Sequence, residues 1–248
     1  MTLSIRGLSI KKGQKKILND VNCVFEEGKL SCILGINGSG KSMFLKSIVG
    51  IEKAKGVIDL DMECLKASKL SYISQMIDQL SGITVFEVVL YGLYPNISWK
   101  TTNLEITKVE SILTELRIQH LINEDFGNLS GGQKQLVILA QALIKNPRLL
   151  IADEPTSALD VNNQLRYLEF LKKYIKTNNI IGIVVLHDLS MATRFSDRLY
   201  IMEQGKFVDE GSIGEVLKSK VLEKTFGVTL DLIKTSNGLL SIVPINRM

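Results

Sequence analysis

Gly35-Ile36-Asn37-Gly38-Ser39-Gly40-Lys41-Ser42 lies between an apolar run, Leu30 to Leu34, and a helical pattern, Met43 to Val49, that Gly50 closes. A fixed glycine, four free positions and Gly-Lys-Ser form the phosphate-binding P-loop pattern. Strand, glycine-rich loop and helix are the context that gives the pattern structural meaning. Glycines at 35, 38 and 40 let the backbone turn tightly and aim several N–H groups at phosphate oxygens. The helix N-terminus adds partial positive charge. Lys41 can reach the β- and γ-phosphates, and the Ser42 hydroxyl can ligate Mg²⁺. The plainer alternative is a glycine-rich turn ahead of a helix, which leaves the Lys-Ser ending unexplained.

The 248 residues, 45% hydrophobic and 23% charged, suit one large domain or one domain with an inserted subdomain. A net charge of +4 gives no argument for a nucleic-acid partner, although it leaves room for a clustered basic patch. Cys23, Cys32 and Cys64 lack metal-ligand spacing, and Cys32 reads as a buried thiol in the strand before the loop. The first residues alternate polar and apolar as a strand does, without a signal-peptide pattern. The most apolar run, Ile180 to Leu186, is far shorter than the ~20 residues a membrane span needs. A cytoplasmic chain that meets a membrane only through a partner is the expectation.

Strands are expected over 2–10, 21–26, 30–34, 56–60 and 69–73. From Val85 to about Lys145 the pattern is helical, with apolar residues at 85, 86, 88, 89 and 90, then at 106, 109, 112, 113 and 116. Strands return at 148–152 and 181–186, around a helix near 162–176. This alternation implies a parallel sheet with crossover helices. A strand pair over 198–210, turning at Gln204-Gly205, and two short helices follow; the last twenty residues give no clear pattern. The helical middle reads as an insertion into one core.

Leu149 to Ala152 is an apolar run ending in Asp153-Glu154. Two carboxylates at a strand tip can divide the work of hydrolysis: Asp153 organises a Mg²⁺ shell and Glu154 polarises the attacking water. Alone, an acidic strand end before Pro155 is often only a turn; downstream of a P-loop it carries more. Leu129-Ser130-Gly131-Gly132-Gln133 opens another apolar helical pattern, with Ser130 as a good N-cap. Locally it reads as a capped helix, but its two glycines also expose an N–H cradle suited to phosphate.

P-loop, LSGGQ and LIADEP in this order and spacing resemble the ATP-binding subunit of an ABC transporter. The resemblance covers nearly the whole chain and rests most firmly on LSGGQ. Smaller motifs agree. Gln75 stands where the family's Q-loop glutamine contacts Mg²⁺ and the transmembrane partner. Ser157-Ala158-Leu159-Asp160 matches the D-loop at the dimer interface, and His187 the switch histidine at the γ-phosphate. The resemblance implies an α/β fold: a P-loop NTPase core with a parallel sheet, an N-terminal antiparallel β subdomain and an inserted helical subdomain. On this reading residues 1–248 form one domain, with core 1–75 and 146–228, helical subdomain about 76–145 and C-terminal extension 229–248. It further implies ATP and Mg²⁺ as cofactors and a head-to-tail dimer of two copies. Each ATP would lie between one copy's P-loop and the other's Ser130, Gly131, Gly132 and Gln133. Permease subunits at the inner face of the membrane, and through them a substrate-binding protein, complete the implied assembly.

Ile83 to Tyr94, followed by Pro95-Asn96, resembles a segment of importers of iron chelates, haem and cobalamin, which usually carry a glycine, a basic residue and Tyr-Pro-His there. Leu93 replaces the basic residue and Asn96 the histidine. Zinc and manganese importers have a related stretch; the segment Leu199 to Val228, with Gly205, Gly211 and Phe226-Gly227-Val228, also fits metal-chelate importers, so an iron chelate comes first as cargo, ahead of other metal complexes. Two positions depart from the family. Met43 stands where a threonine hydroxyl usually helps hold the α-phosphate. Lys12, by register from Ile17-Leu18, stands where an aromatic usually stacks on adenine, and no aromatic precedes Phe25. Other classes remain open: an ABC-type scaffold in iron–sulfur assembly, or an exporter. A role in nucleic-acid maintenance would call for long coiled-coil insertions that this length does not hold.

Overall fold

A computed structural model describes residues 1–61, 63–64, 69–75, 81–93, 101–234 and 240–247. The elements run β1 (Thr2–Lys12), β2 (Lys15–Glu26), β3 (Leu30–Leu34), α1 (Lys41–Ile48), β4 (Lys55–Leu60), β5 (Glu63–Cys64), β6 (Leu70–Ile73), α2 (Val85–Leu90) and α3 (Asn103–Glu115). Then come α4 (Gly131–Leu143), β7 (Leu149–Asp153), α5 (Val161–Thr177), β8 (Ile181–Val185), α6 (Leu189–Phe195), β9 (Arg198–Glu203) and β10 (Lys206–Gly211). Helices α7 (Ile213–Lys218) and α8 (Val221–Phe226) and strands β11 (Val228–Lys234) and β12 (Leu240–Arg247) close the chain. Two compact units result: Met1–Leu65 with Lys172–Met248, and Lys66–Leu171.

The first unit holds an antiparallel sheet in the order β2-β1-β4-β5 and a mixed array in the order β10-β9-β3-β8. Strand β3 runs parallel to both β8 and β9. Every residue of β3 and β8 is buried. A strand covered on both faces reads as a continuous apolar run rather than an alternation, which is why LSCIL and IGIVV look as they do. Below α1 sits an aromatic cluster, with ring centroids 4.7 Å apart for Phe25 and Tyr200, 5.1 Å for Phe44 and Phe207, and 5.4 Å for Tyr200 and Phe207. Phe44 belongs to α1, so the cluster anchors the helix that follows the P-loop; such pairs contribute about 1 kcal/mol each beyond their area. Cys23 and Cys32 are buried, as read for Cys32, and burial pushes the Cys32 thiol up to about 12.

Three features of this unit differ from the sequence reading. β2 starts at Lys15 rather than near 21, because its first half carries Lys15, Lys16, Asn19 and Asp20 and because three register shifts against β1 break the alternation. Asp20 sits at φ 53°, a left-handed position within the irregular stretch. α6 was not distinguished; its seven residues are too few to show a period. The C-terminal residues form the hairpin β11–β12, paired from Val228↔Arg247 to Lys234↔Leu240. Ser190 of α6 ties this hairpin down by donating to the Ile242 carbonyl at 2.9 Å.

The second unit pairs β6 with β7 in parallel and carries α2, α3 and α4, each opened by a capping box. Thr84 with Glu87, Thr102 with Glu105, and Ser130 with Gln133 satisfy the first orphan amides of α2, α3 and α4, at about 1 kcal/mol each. Ahead of α4, the Asp125 carboxylate accepts from Gly82 N at 2.8 Å and Gly127 N at 2.6 Å. Lys134 donates to Gly127 O at 2.9 Å, so the chain entering Ser130 is held from both sides. Gly92 lies against the backbone of α4, where an added Cβ would stand 2.1 Å from the Gln141 carbonyl oxygen. That is a packing reason for the glycine in the Ile83-to-Tyr94 stretch; Tyr94, Pro95 and Asn96 lie outside the described residues.

Candidate active site

In the first unit β3 delivers the P-loop directly onto α1. Gly35, at φ 155°, has its Cα so close to β9 that a Cβ would meet the Met202 carbonyl oxygen at 2.2 Å and Ser39 Oγ at 2.9 Å. Lys41 Nζ folds back and donates to Gly35 O at 2.7 Å and Ile36 O at 3.0 Å. Ile36, Asn37 and Gly38 are exposed at the crest of the loop, Ser39 is buried beneath it, and Ser42 and Met43 are half-buried in the first turn of α1. Gly40 caps that turn. Ser39 Oγ is buried with no hydrogen-bond partner among the described residues. An orphaned hydroxyl, a loop whose Gly35 has no room for a Cβ, a lysine whose donors rest on the loop's own carbonyls and a helix N-terminus together fit a triphosphate.

The sequence reading missed what holds the loop from the side. Gln204 (φ 47°) and Gly205 (φ 75°) form the β9–β10 turn with the two positive φ angles that such hairpins favour. Gly205 N donates to Ser39 O at 2.8 Å, and Gly205 O accepts from Asn19 N at 2.9 Å. A Cβ on Gly205 would stand 2.2 Å from the Ile17 carbonyl oxygen. The turn was legible as a turn; that it clasps the P-loop to β2 was not, because the contact spans more than 160 residues of chain. His187 follows β8 by two residues, and the register Ile33↔Val185 brings the end of β8 level with the end of β3. His187 is therefore exposed at the edge from which the P-loop leaves. Lys12 is exposed at the end of β1 and ion-paired with Glu52 at 3.0 Å.

In the second unit the parallel register Leu70↔Leu149 to Ile73↔Ala152 ends β6 and β7 side by side. Two residues beyond the last register pair, Gln75 Nε2 donates to Glu154 Oε2 at 2.6 Å, joining positions 79 apart in sequence. Carboxyl ends of parallel strands are where such folds assemble polar sites. Asp153 is buried at the tip of β7. Burial, with the Asp153 charge adding to it, pushes the Tyr72 phenol up to about 12. Glu154 sits at φ 51°, unusual for a residue with a Cβ and a form of strain that concentrates at functional positions. Its carbonyl accepts from the Ser157 amide and hydroxyl, which fixes the turn after the strand.

Ser130 Oγ accepts from Gln133 N at 3.3 Å and Gln133 Oε1 accepts from Ser130 N at 2.9 Å. The glycines between them face the turn after β7: Cβ atoms on Gly131 and Gly132 would lie 3.7 Å from Ala158 O and 3.4 Å from Leu159 Cδ2. Asp160 closes that turn and starts α5 by accepting from the Asn163 amide at 2.8 Å and its Nδ2 at 2.9 Å. LSGGQ and the stretch 157–160 are thus neighbours in the fold.

A family model described as ABC transporter matches residues 18–157, the span from β2 through the P-loop, LSGGQ and the acidic strand to Ser157. The chain belongs to the ABC transporter family. It is an ATP-binding, ATP-hydrolysing subunit of that family. An ABC transporter ATP-binding protein of Methanocaldococcus jannaschii, itself uncharacterised, is 35% identical over 99% of this chain and 98% of its own. The hemin import ATP-binding protein of Shewanella denitrificans is 32% identical over 97% of this chain and 99% of its own. Among solved structures, an inward-facing ABC transporter described as of metal-chelate type superposes with a TM-score of 0.87 at 24% identity, covering 99% of this chain and 98% of that one. The fold is that of the ABC ATPases. Among the described residues no helix is long and apolar enough to cross a membrane.

Proposed function

We infer that this subunit energises an ABC importer whose cargo is an iron chelate. The similarity that carries the reading is to the hemin importer's ATP-binding protein, over nearly the full length of both chains. The stretch around Gly92 and the Phe226-Gly227-Val228 tail support the same group.

In this reading residues 1–248 act as one ATP-binding domain with an inserted helical subdomain. The amides of Gly35 to Ser42, with Lys41, take the phosphates, and Met43 contributes backbone only. Ser42, Gln75 and Asp153 are the side chains that would hold Mg²⁺, which would supply charge neutralisation to the phosphates. Glu154 accepts the proton of the attacking water, which requires Gln75 to give up its 2.6 Å bond to the same carboxylate or to share it. His187 donates to the γ-phosphate. A second copy places its Ser130, Gly131, Gly132 and Gln133 on the ATP, with Asp160 at the interface. Permease subunits receive the motion near Gln75 and hold the chain peripherally at the inner face of the membrane; a substrate-binding protein delivers the cargo to them.

Isolation of the tagged chain from its native membranes, in mild detergent, tests the reading. A multi-spanning permease should accompany it at equal stoichiometry, and the ATPase rate of the complex should rise with iron chelate presented by the binding protein. A chain recovered only with soluble iron–sulfur assembly proteins would sink the assignment.

Lys12 makes a separate prediction. A lysine engaged with Glu52 gives adenine a base-edge or cation–π contact at best, while the phosphate contacts do not see the base. Affinities for ATP and GTP should lie within ~10-fold of each other. Lys12→Tyr should tighten ATP by about 1 kcal/mol through stacking, and losing the exposed ion pair costs less than that. Titration of both nucleotides against both chains checks this; strong ATP preference unchanged by the substitution would place base recognition elsewhere.

A further inference from the structure

The end of the β1–β2 hairpin concentrates positive charge in an unusual way. Lys11 lies opposite Lys16, and Lys12 opposite Lys15, across the antiparallel ladder. Like charges directly opposite one another destabilise a sheet. Glu52 answers Lys12, but Lys11, Lys15, Lys16, Lys53 and Lys55 have no ion-pair partner among the described residues. Four of them, Lys11, Lys16, Lys53 and Lys55, line one open cavity of about 390 Å³. Buried Ile10 and Leu18 also line it, and Ser9 and Asn19 add polar atoms. No carboxylate is among its described lining residues, and no P-loop residue is either.

The backbone explains the convergence. Pairing steps from Ile10↔Leu18 to Lys11↔Lys16, skipping Ile17, so a bulge bends the hairpin end and re-aims its side chains. Ser9 pairs with Lys55 on the other side of β1, which brings the start of β4 to the same place. Like charges facing each other across a ladder repel, and because these lysines are exposed, salt weakens that repulsion. A ligand that carries several negative charges close together turns this repulsion into attraction. A chloride or a single carboxylate brings one negative charge to this cluster, whereas a chain of phosphates brings several.

We propose that this cavity binds a compact, freely diffusing polyphosphate anion, with two or more phosphate groups, at a site separate from the P-loop. The test uses the full chain carrying Lys41→Ala, which weakens the P-loop as a competing phosphate site, and inorganic tripolyphosphate as the probe in low-salt calorimetry. One equivalent should bind. Lys53→Ala/Lys55→Ala and Lys11→Ala/Lys16→Ala, added separately, should each weaken it by at least about tenfold, and salt should weaken it too. Removing the exposed lysines Lys108 and Lys173 should change it less than about twofold. Because the lysine pairs repel, Lys11→Ala/Lys16→Ala should also raise the thermal midpoint without anion and abolish the rise that tripolyphosphate gives. Absence of binding, or equal weakening by the control pair, overturns the proposal. So does sedimentation with phosphatidylglycerol vesicles that depends on the same four lysines, since the site would then face a membrane surface. None of these readouts depends on transport, so they stand or fall apart from the importer reading.

Discussion

Glu154→Gln is expected to bind ATP normally and to turn it over about 10²–10³-fold more slowly than the native chain. The substitution is nearly isosteric. A glutamine Oε can still accept from Gln75 Nε2, so the contact across the two strand ends survives while the charge that receives the water proton is lost. The strained backbone survives as well, because the chain already holds a glutamine, Gln204, at φ 47°, close to the 51° of Glu154. Loss of activity through misfolding is therefore not expected, and an unchanged thermal midpoint would show it. Phosphate release at saturating ATP measures the rate, and gel filtration should show an ATP-dependent dimer that accumulates because it no longer hydrolyses its way apart. Near-native turnover would remove Glu154 from the chemistry and leave the Gln75 bond as a structural tie only.

What could be read from the sequence was what is local. The P-loop was legible because its strand, its glycines and its helix are contiguous, and each obeys a local rule: full burial of LSCIL, positive φ at Gly35, Gly38 and Gly40, and an amphipathic α1. The acidic strand was legible for the same reason. Gln75 and Glu154 could be named from motif order, but their hydrogen bond follows from the β6–β7 register, which no local pattern encodes. The clasp of Gly205 on Ser39 and Ile17, and the approach of Gly92 to α4, are likewise pairings across long stretches of chain, and a glycine alone does not reveal its partner. The first half of β2 was hidden by its lysines. Those exposed side chains, with the register shift that skips Ile17, defeat the alternating pattern. The C-terminal hairpin was hidden because Leu232, Ile233 and Ile245 are exposed while Ile242 is buried, so its apolar residues do not mark one face.

A mixture of Lys41→Ala and Ser130→Arg chains is expected to recover activity that neither chain has alone. Lys41→Ala removes the ammonium group seated on the P-loop carbonyls. Ser130→Arg removes the hydroxyl that caps α4 and places a long cation at an N-terminus whose amides should face phosphate. Losing the cap costs about 1 kcal/mol, and the α4 face packed in the core is untouched, so the variant should fold. If LSGGQ acts on the ATP held by the other copy, a mixed dimer carries one site with both lesions and one with neither. Random pairing makes half the dimers mixed, each with one good site of two, so the mixture should reach about a quarter of native turnover. If LSGGQ instead served the P-loop of its own chain, every site would carry a lesion and mixing would restore nothing. The recovery should also vary with the ratio of the two chains, peaking at equal amounts, which distinguishes subunit exchange from residual activity of either homodimer. Phosphate release across a series of mixing ratios decides between the two arrangements, and a flat series would refute the trans assignment of Ser130, Gly131, Gly132 and Gln133.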